Sequence, residues 1–195
     1  MEVYKELINT ERSYVEDLKT LVDIFMQPLR RSQDSSNPIL PFEDIQSIFM
    51  NCEMLLIVNT ELLEAIDAQI STERLSKVVS DTFAQKLPSF RVYNMWCNRY
   101  DIALDRLNTA KQMYPKFADF LDTIKRHPKT RGLDLSSFLI KPVQRICKYP
   151  LFFKDLLKHT SGDHEFRNNL ETVLKLTEEL ANQIDESMKT ESDNR

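Results

Sequence analysis

Apolar residues recur every three or four positions along most of the chain, which is the spacing of one buried stripe on an α-helix. The pattern predicts a first helix over residues 2–31, a loop over residues 31–41 and a second helix over residues 42–70. Residues 71–73 then interrupt the pattern. In the first helix the stripe comprises Val3, Leu7, Tyr14, Leu18, Leu21 and Phe25, with Thr10 filling one turn.

Prolines set the boundaries of the middle helices, because a proline lacks the amide donor that a helix interior requires. Pro88 separates a helix over residues 75–86 from one over residues 89–110. A shorter helix over residues 114–126 ends before Pro128. The apolar face of the longer helix comprises Phe90, Tyr93, Trp96, Cys97, Ala103, Leu104 and Leu107.

Two further helices are predicted in the last third of the chain. After a connection that contains Gly132, Asp134 or Ser136 is expected to cap a helix that runs to about Thr160. Gly162 supplies the next turn. The final helix repeats Phe166, Leu170, Val173, Thr177, Leu180, Ile184 and Met188, ahead of a polar tail.

Glycine is scarce, with 2 among 195 residues, against the ~7% of average proteins. Sheets with tight hairpins need glycine for turns with positive φ, so this composition favours long helices with few turns. We predict an all-α fold in which residues 1–190 form a single elongated bundle of about six helices. Residues 191–195 are expected to form the polar tail.

Charge and cysteine usage limit the possible partners and compartment. The net charge of −4 gives no overall attraction to nucleic acid or anionic lipid, so binding to neither is expected. The longest strongly apolar run, residues 54–58, is far shorter than the ~20 residues that span a bilayer. Cys52, Cys97 and Cys147 form no CxxC pair and are expected to be reduced, buried thiols of a cytoplasmic protein.

The sequence lacks the motifs of common catalytic sites. His127, His159 and His164 show no HExxH spacing and have no cysteine pair nearby, so no metal site is expected. No glycine-rich phosphate loop and no GxSxG elbow occurs. We therefore predict neither a cofactor nor covalent chemistry. The basic run over residues 125–131 is expected to be a solvated connection between helices.

One segment, residues 136–153, departs from the rules that the rest of the chain follows. It carries two prolines inside a helical pattern, and Pro150 would cost ~3 kcal/mol if uncompensated. Such local rule-breaking is typical of functional elements. On helical spacing, Lys141, Gln144 and Lys148 share one polar, basic face. Taken alone, that face would be an ordinary solvated surface.

This segment resembles the third conserved region of the Dbl homology (DH) domain, the exchange-factor module for Rho-family GTPases. The matching residues are Leu139, Ile140, Lys141, Pro142, Gln144, Arg145, Lys148, Tyr149, Pro150 and Leu151. Phe152 and Phe153 replace leucines of the family pattern. Residues 6–18 resemble the first conserved region. The second region is matched by Phe90, Tyr93, Cys97 and Ala103, so the resemblance covers essentially the whole chain.

The resemblance implies a GTPase-binding surface as well as a fold. DH domains are elongated helical bundles in which the first helix and the third-region helix, with the end of the last helix, contact the GTPase. By position, Glu6 matches the glutamate that contacts switch I, and Lys148 matches the lysine that engages switch II. Gln144 shares the face of Lys148 and is expected to contact switch II, with Lys141 in a supporting role.

Two further positions bear on activity and on the choice of partner. Asp185 falls where many members have an asparagine that hydrogen-bonds switch II. An ionised aspartate accepts hydrogen bonds but cannot donate them, so this residue favours pairing with a GTPase arginine. Ile140 matches the position that packs against a GTPase residue that varies between branches, and an isoleucine there favours Rac-like partners.

The implied function is guanine nucleotide exchange by binding alone: the domain remodels switch I and switch II of a Rho- or Rac-family GTPase and expels magnesium and GDP. We expect a cytoplasmic monomer, recruited to membranes through other parts of its parent protein, and no pleckstrin-homology domain within this chain. Two alternatives stay open. Asp185 and Phe152–Phe153 leave room for an inactive or autoinhibited exchange domain, and long amphipathic helices would also suit a non-catalytic scaffold.

Overall fold

The computed structural model describes residues 2–70, 74–160 and 167–193. Over these ranges the chain forms ten α-helices and no strand, so the predicted all-α fold is confirmed. The helices are α1 (Glu2–Lys19), α2 (Gln27–Arg31), α3 (Phe42–Phe49), α4 (Cys52–Asp67), α5 (Leu75–Lys86), α6 (Val92–Met113), α7 (Pro115–Ile124), α8 (Leu135–Leu139), α9 (Lys141–Lys158) and α10 (Arg167–Asp193). In the described part of the chain, no helix has the length and apolar character needed to cross a membrane.

The first predicted helix, over residues 2–31, is confirmed in extent but is not uniform. Between α1 and α2, residues Thr20–Met26 form a π-helix. Gln27 donates its backbone N–H to the carbonyl of Val22, five residues earlier, which is the wider pattern of a π-turn. Pro28 follows at once, and its ring would crowd the carbonyl four residues earlier in a regular α-helix. The apolar stripe passes through this turn, so the periodicity did not reveal it.

The second predicted helix, over residues 42–70, is wrong as a single element. The chain breaks between α3 and α4 at Met50, which has a φ of 45°, and at Asn51. Asn51 Nδ2 donates to the backbone oxygen of Val92 over 2.9 Å, which fastens the break to the start of α6. Helix α4 then ends at Asp67. Buried apolar residues flank the break on both sides, so the hydrophobic pattern continued across it.

The long helix predicted in the last third of the chain is divided at Ile140 into α8 and α9. Asp134 stands just before α8, but its carboxylate pairs with Lys125 over 3.0 Å and caps no backbone N–H. Pro142 lies in the first turn of α9, where a missing amide donor costs little. Pro150 lies inside α9 and does not end it.

The other predicted helices agree with the structure apart from shifts at their ends. Those over residues 75–86, 89–110 and 114–126 correspond to α5, α6 and α7. Helix α10 continues to Asp193, so residues 191–193 of the predicted polar tail are helical. Outside the described residues lie the predicted interruption at residues 71–73, the predicted turn at Gly162, and Phe166 of the final stripe.

The core surrounds α9, which packs along α10 and against α1 and α6. Leu139, Ile146 and Phe153 are fully buried, and Val143 is half-buried. Trp96, the only tryptophan of the chain, donates its indole N–H to the carbonyl of Leu139 over 3.1 Å. This bond satisfies a backbone oxygen at the junction of α8 and α9, which would otherwise be buried without a partner.

The prediction that all three cysteines are buried is wrong for one of them. Cys52 and Cys97 are buried, whereas Cys147 is exposed on α9; all three are free thiols. Burial raises the pKa of Cys52 to about 12 and that of Cys97 to about 12. These two thiols are therefore neutral core residues, while Cys147 belongs to the surface.

Candidate functional site

Helices α1 and α9 lie side by side and leave a shallow groove between them. It holds two depressions of about 150 and 290 Å³, which meet at Thr10 and Lys148. We define the α1–α9 groove by Val3, Glu6, Thr10 and Ser13 of α1 and Gln144, Lys148, Leu151 and Asp155 of α9. Of the residues predicted from the sequence, Glu6, Gln144 and Lys148 line this groove, and Lys141 lines the smaller of its two depressions.

The polar side chains of the groove are available to a partner. Glu6, Gln144 and Lys148 are exposed. Within residues 2–70, 74–160 and 167–193, no ion pair engages Glu6 or Lys148, and no hydrogen bond engages the side-chain amide of Gln144. A carboxylate, an ammonium and an amide therefore face solvent together, and charged groups of this kind make the stronger hydrogen bonds.

A buried ion pair fixes the two helices beneath the groove. Arg145 of α9 is 5% exposed and Glu11 of α1 is 1% exposed. Arg145 donates to Glu11 Oε2 from Nε at 2.9 Å and from Nη2 at 2.5 Å. Burial disfavours the charged guanidinium, but the neighbouring Tyr149 and Glu11 outweigh that effect and raise the pKa of Arg145. Arg145 is therefore charged at every accessible pH.

Hydrogen bonds extend this pair to α4 and α6. Tyr149 donates its hydroxyl to Glu11 Oε2 over 2.9 Å. Asn59 Nδ2 donates to Glu11 Oε1 over 2.7 Å, and Tyr93 donates to Asn59 Oδ1 over 2.7 Å. Burial raises the pKa of the Tyr149 and Tyr93 phenols well above its usual value, so both remain donors. We name these residues, with Arg145, the buried network; it joins α1, α4, α6 and α9.

The buried-network residues Arg145, Tyr149 and Glu11 belong to the family motifs, but the sequence pattern predicted no role for them. One signal was present: Glu11 stands four positions after Leu7 and three before Tyr14, on the buried stripe of α1. A charge on a buried stripe requires a partner, because an unpaired charge in the interior is costly. The pattern therefore indicated a buried pair without identifying Arg145 as the other member.

Lys141 was predicted as a supporting residue on the exposed basic face, and its contacts differ from those of Lys148. It is half-buried and pairs with Asp17 of α1 over 3.0 Å. Arg131 donates to the other oxygen of Asp17 over 2.7 Å. Asp17 thus joins α1 to α9 and to the connection before α8. The basic run over residues 125–131 is therefore not wholly solvated.

The remaining predicted residues lie near the groove but outside its lining. Asp185 is exposed on α10 and pairs with Lys189 over 2.6 Å. Burial raises the pKa of Cys147, and the charge of Asp185 adds to the effect. Asp185 therefore lies near Cys147, the residue before Lys148, where α10 packs along α9. Ile140 is half-buried at the junction of α8 and α9.

An apolar residue of the groove was missed as a candidate. Leu151 is 66% exposed, more than any other large hydrophobic residue in the described part of the chain. It stands three positions after Lys148, on the same side of α9. An exposed leucine beside unpaired polar groups is typical of a binding surface rather than of a solvated face. The signal that could have found Leu151 was its spacing, three positions after Lys148 on the predicted polar face.

The described residues contain no group of three or more His, Cys, Asp or Glu side chains that could hold a metal ion. His127 and His159 lie at ends of helical segments, and His164 lies outside the described residues.

Comparison with known proteins identifies the family. The family model for the RhoGEF domain matches residues 3–185. The myosin-M heavy chain of Dictyostelium discoideum is 36% identical over 192 residues, which are 97% of this chain and 11% of that protein. Human intersectin-1 is 32% identical over 187 residues, which are 94% of this chain and 11% of that protein. This chain therefore spans about a tenth of each of these two relatives.

A solved structure supports the same assignment. The complex of human RhoA, its inhibitor and the DH/PH domain of human ARHGEF11 matches with a TM-score of 0.87 and 26% identity, over 96% of this chain and 53% of that one. The resemblance drawn from the third-region motif is thus confirmed by sequence and by fold. The chain belongs to the RhoGEF domain family, the family of Dbl homology domains.

Proposed function

We propose that this chain is the exchange domain of a guanine nucleotide exchange factor, which binds a Rho-family small GTPase through the α1–α9 groove and releases its GDP. The observation that carries the proposal is the placement of Glu6 and Lys148, both exposed and unpaired by any described residue, on one groove. The buried network beneath the groove keeps the two helices that bear them in register. Family membership supplies the class of partner.

The physical task is differential binding. A domain that bound all nucleotide states of the GTPase equally would shift nothing, however tightly it bound. Lowering the affinity for nucleotide by ~10⁵-fold requires about 7 kcal/mol of additional interaction with the nucleotide-free GTPase. By linkage, the nucleotide lowers the affinity of the GTPase for this domain by the same factor. No bond of the nucleotide needs to be made or broken.

The groove residues divide this task. Glu6 contacts switch I and draws it away from the nucleotide and its magnesium ion. Lys148 engages switch II, where an extended ammonium pairs with carboxylates and carbonyls near the metal site. Gln144, one turn before Lys148, supplies both a donor and an acceptor to the same segment. Magnesium is displaced from the GTPase and is not held by this chain.

A few polar contacts do not provide 7 kcal/mol, so a wider interface of about 800 Å² on each partner is required. Leu151 contributes apolar area to the groove. Lys141 acts in support by holding Asp17 and thereby the far end of α1. Asp185 approaches switch II from α10, and it must exchange its pairing with Lys189 for one with a GTPase cation.

The partner is a Rho-family GTPase, with Rac-like members favoured by Ile140. The related DH/PH domain cited above is bound to RhoA in its complex, so RhoA belongs in any test. The domain itself works as a monomer over residues 1–190, because the groove is complete within one chain. Recruitment from the cytoplasm to a membrane, and any pleckstrin-homology domain, would come from other parts of a longer protein.

The test is the preference of the domain for nucleotide-free over GDP-loaded GTPase, measured by equilibrium binding with RhoA and Rac, in EDTA and in magnesium plus GDP. Lys148→Ala and Glu6→Ala should each reduce that preference at least about tenfold, which corresponds to ~1.4 kcal/mol. Lys154→Ala is the matched control, because Lys154 is an exposed lysine of α9 that does not line the groove. Equal affinity for both states would overturn the proposal.

An inactive exchange domain is the alternative that the departures at Asp185 and Phe152–Phe153 suggested. Phe153 is fully buried, and the ring of Phe152 lies 5.6 Å from the guanidinium of Arg145. Phe152 therefore lines the groove beside Arg145, whereas Phe153 packs in the core against Phe83 of α5, with 4.8 Å between the ring centroids. The observations favour an active domain, and binding that ignores the nucleotide state would favour the inactive one.

A further inference from the structure

One turn of α1 is tied to α9 by a single guanidinium. Arg145 Nη1 donates to Thr10 Oγ1 over 2.9 Å, and Nη2 donates to the backbone oxygen of Leu7 over 3.2 Å. The hydroxyl of Thr10 in turn donates to the backbone oxygens of Glu6, over 2.8 Å, and Leu7, over 3.1 Å. These bonds are separate from the ion pair of the buried network. They form a continuous series of hydrogen bonds from α9 to the backbone of Glu6.

The two ends of this series of hydrogen bonds lie next to Glu6 and Lys148, the two groups that the proposed exchange reaction needs. Arg145 stands three positions before Lys148, on the same turn of α9, and Thr10 stands four positions after Glu6, one turn along α1. A hydroxyl that bonded only to the backbone of its own helix would not connect α1 to α9. Because Thr10 also accepts from Arg145, it couples the position of the Glu6 turn to that of the Lys148 turn.

We propose that Thr10 and Arg145 are positioning residues for nucleotide exchange: the hydrogen bond between them sets the separation of Glu6 and Lys148 across the α1–α9 groove. The inference rests on the proposed exchange function. Placement errors of about 1 Å between acting groups cost as much as ~10²-fold in rate. Loss of the Thr10 hydroxyl should therefore slow exchange far more than it lowers stability.

The test compares Thr10→Val, which keeps the shape and removes the hydroxyl, with Thr10→Ser, which keeps the hydroxyl. We expect Thr10→Val to lower kcat/KM for GDP release about 10- to 100-fold and Thr10→Ser to lower it less than about twofold. Thr123→Val is the matched control. Thr123 makes the same bond to the carbonyl four residues earlier, at 2.9 Å, but it is exposed on α7 and has no arginine partner.

A double-mutant comparison with Glu6 distinguishes a positioning role of Thr10 from a general loss of structure. In a Glu6→Gln background, Thr10→Val should lower kcat/KM less than about twofold, because the group that Thr10 positions is already impaired. An undiminished loss in that background, or equal rates for Thr10→Val and wild type, would overturn the positioning role. Rescue by Thr10→Ser together with the vanished effect in Glu6→Gln would support it.

The rate of GDP release with the wild-type domain distinguishes a failure of this inference from a failure of the exchange function on which it rests. A wild-type domain that accelerates GDP release while Thr10→Val matches Thr123→Val defeats the positioning role alone. A wild-type domain that accelerates release from no Rho-family GTPase defeats the exchange function, and the positioning role with it. Urea unfolding of each variant, followed by Trp96 fluorescence, verifies that the rates refer to folded protein.

Discussion

Removing the cation of the buried network should destabilise the whole domain, because Arg145 holds a carboxylate that is only 1% exposed. In Arg145→Met, Glu11 loses both guanidinium bonds, and its charge stays buried beside neutral donors. Breaking one partner out of a buried ion pair costs roughly 3–5 kcal/mol. Methionine still fills the space over the rings of Tyr149 and Phe152, so little of the loss would come from packing.

The expected loss is a large share of the ~5–15 kcal/mol that holds a domain folded. For a chain of this length, each kcal/mol shifts the melting temperature by about 2–4 °C, so Arg145→Met should melt roughly 6–20 °C below wild type. Urea unfolding followed by Trp96 fluorescence measures the free energy directly. Trp96 is suited to this because it is the only tryptophan and is fully buried.

The sign of the stability change caused by a second substitution, Glu11→Gln, tests whether Arg145 and Glu11 form a buried pair. Glu11→Gln should destabilise the wild type, because it leaves the guanidinium of Arg145 buried without a counter-charge. In the Arg145→Met background, the same Glu11→Gln should stabilise the protein, because it removes the unpaired carboxylate. A loss below about 1 kcal/mol for Arg145→Met, or a destabilising Glu11→Gln in that background, would refute the account of the buried pair.

Three further predictions follow from the surface of α9. Leu151→Ser should reduce the exchange rate about tenfold while changing the free energy of unfolding by less than ~0.5 kcal/mol, because an exposed leucine contributes buried area only in the complex. A loss of stability large enough to explain the loss of exchange would contradict this. At pH 8, a thiol reagent should modify Cys147 and spare Cys52 and Cys97 until urea unfolds the chain, because their raised pKa of about 12 leaves almost no thiolate. Asp185→Asn should speed the reaction of Cys147, since it removes a negative charge that raises the thiol pKa; an unchanged rate would place Asp185 away from α9.

The helical pattern was predictable where burial and helical period agree, and it failed where the chain buries apolar residues through a local irregularity. Met50 adopts a positive φ between two helices, but the apolar residues on either side remain in the core. The π-helix of Thr20–Met26 likewise keeps its stripe buried. Periodicity reports which side chains are buried, and it is insensitive to one residue of backbone slip.

The groove was predictable in part for a different reason. Glu6, Gln144 and Lys148 came from the register of family motifs, and the structure brings them together on one surface. The buried network did not follow from the motifs, because Glu11 and Arg145 are 134 positions apart and no local rule links them. Only the packing of α1 on α9 reveals that pair.

Release of a fluorescent GDP analogue from RhoA, Rac and other Rho-family GTPases, with and without this domain, tests the central claim most directly. We predict that the domain accelerates release from at least one of them, and that Lys148→Ala and Glu6→Ala abolish the acceleration while Lys154→Ala retains it. Acceleration that survives in both Lys148→Ala and Glu6→Ala, or its absence with every GTPase of the panel, would contradict exchange through the α1–α9 groove.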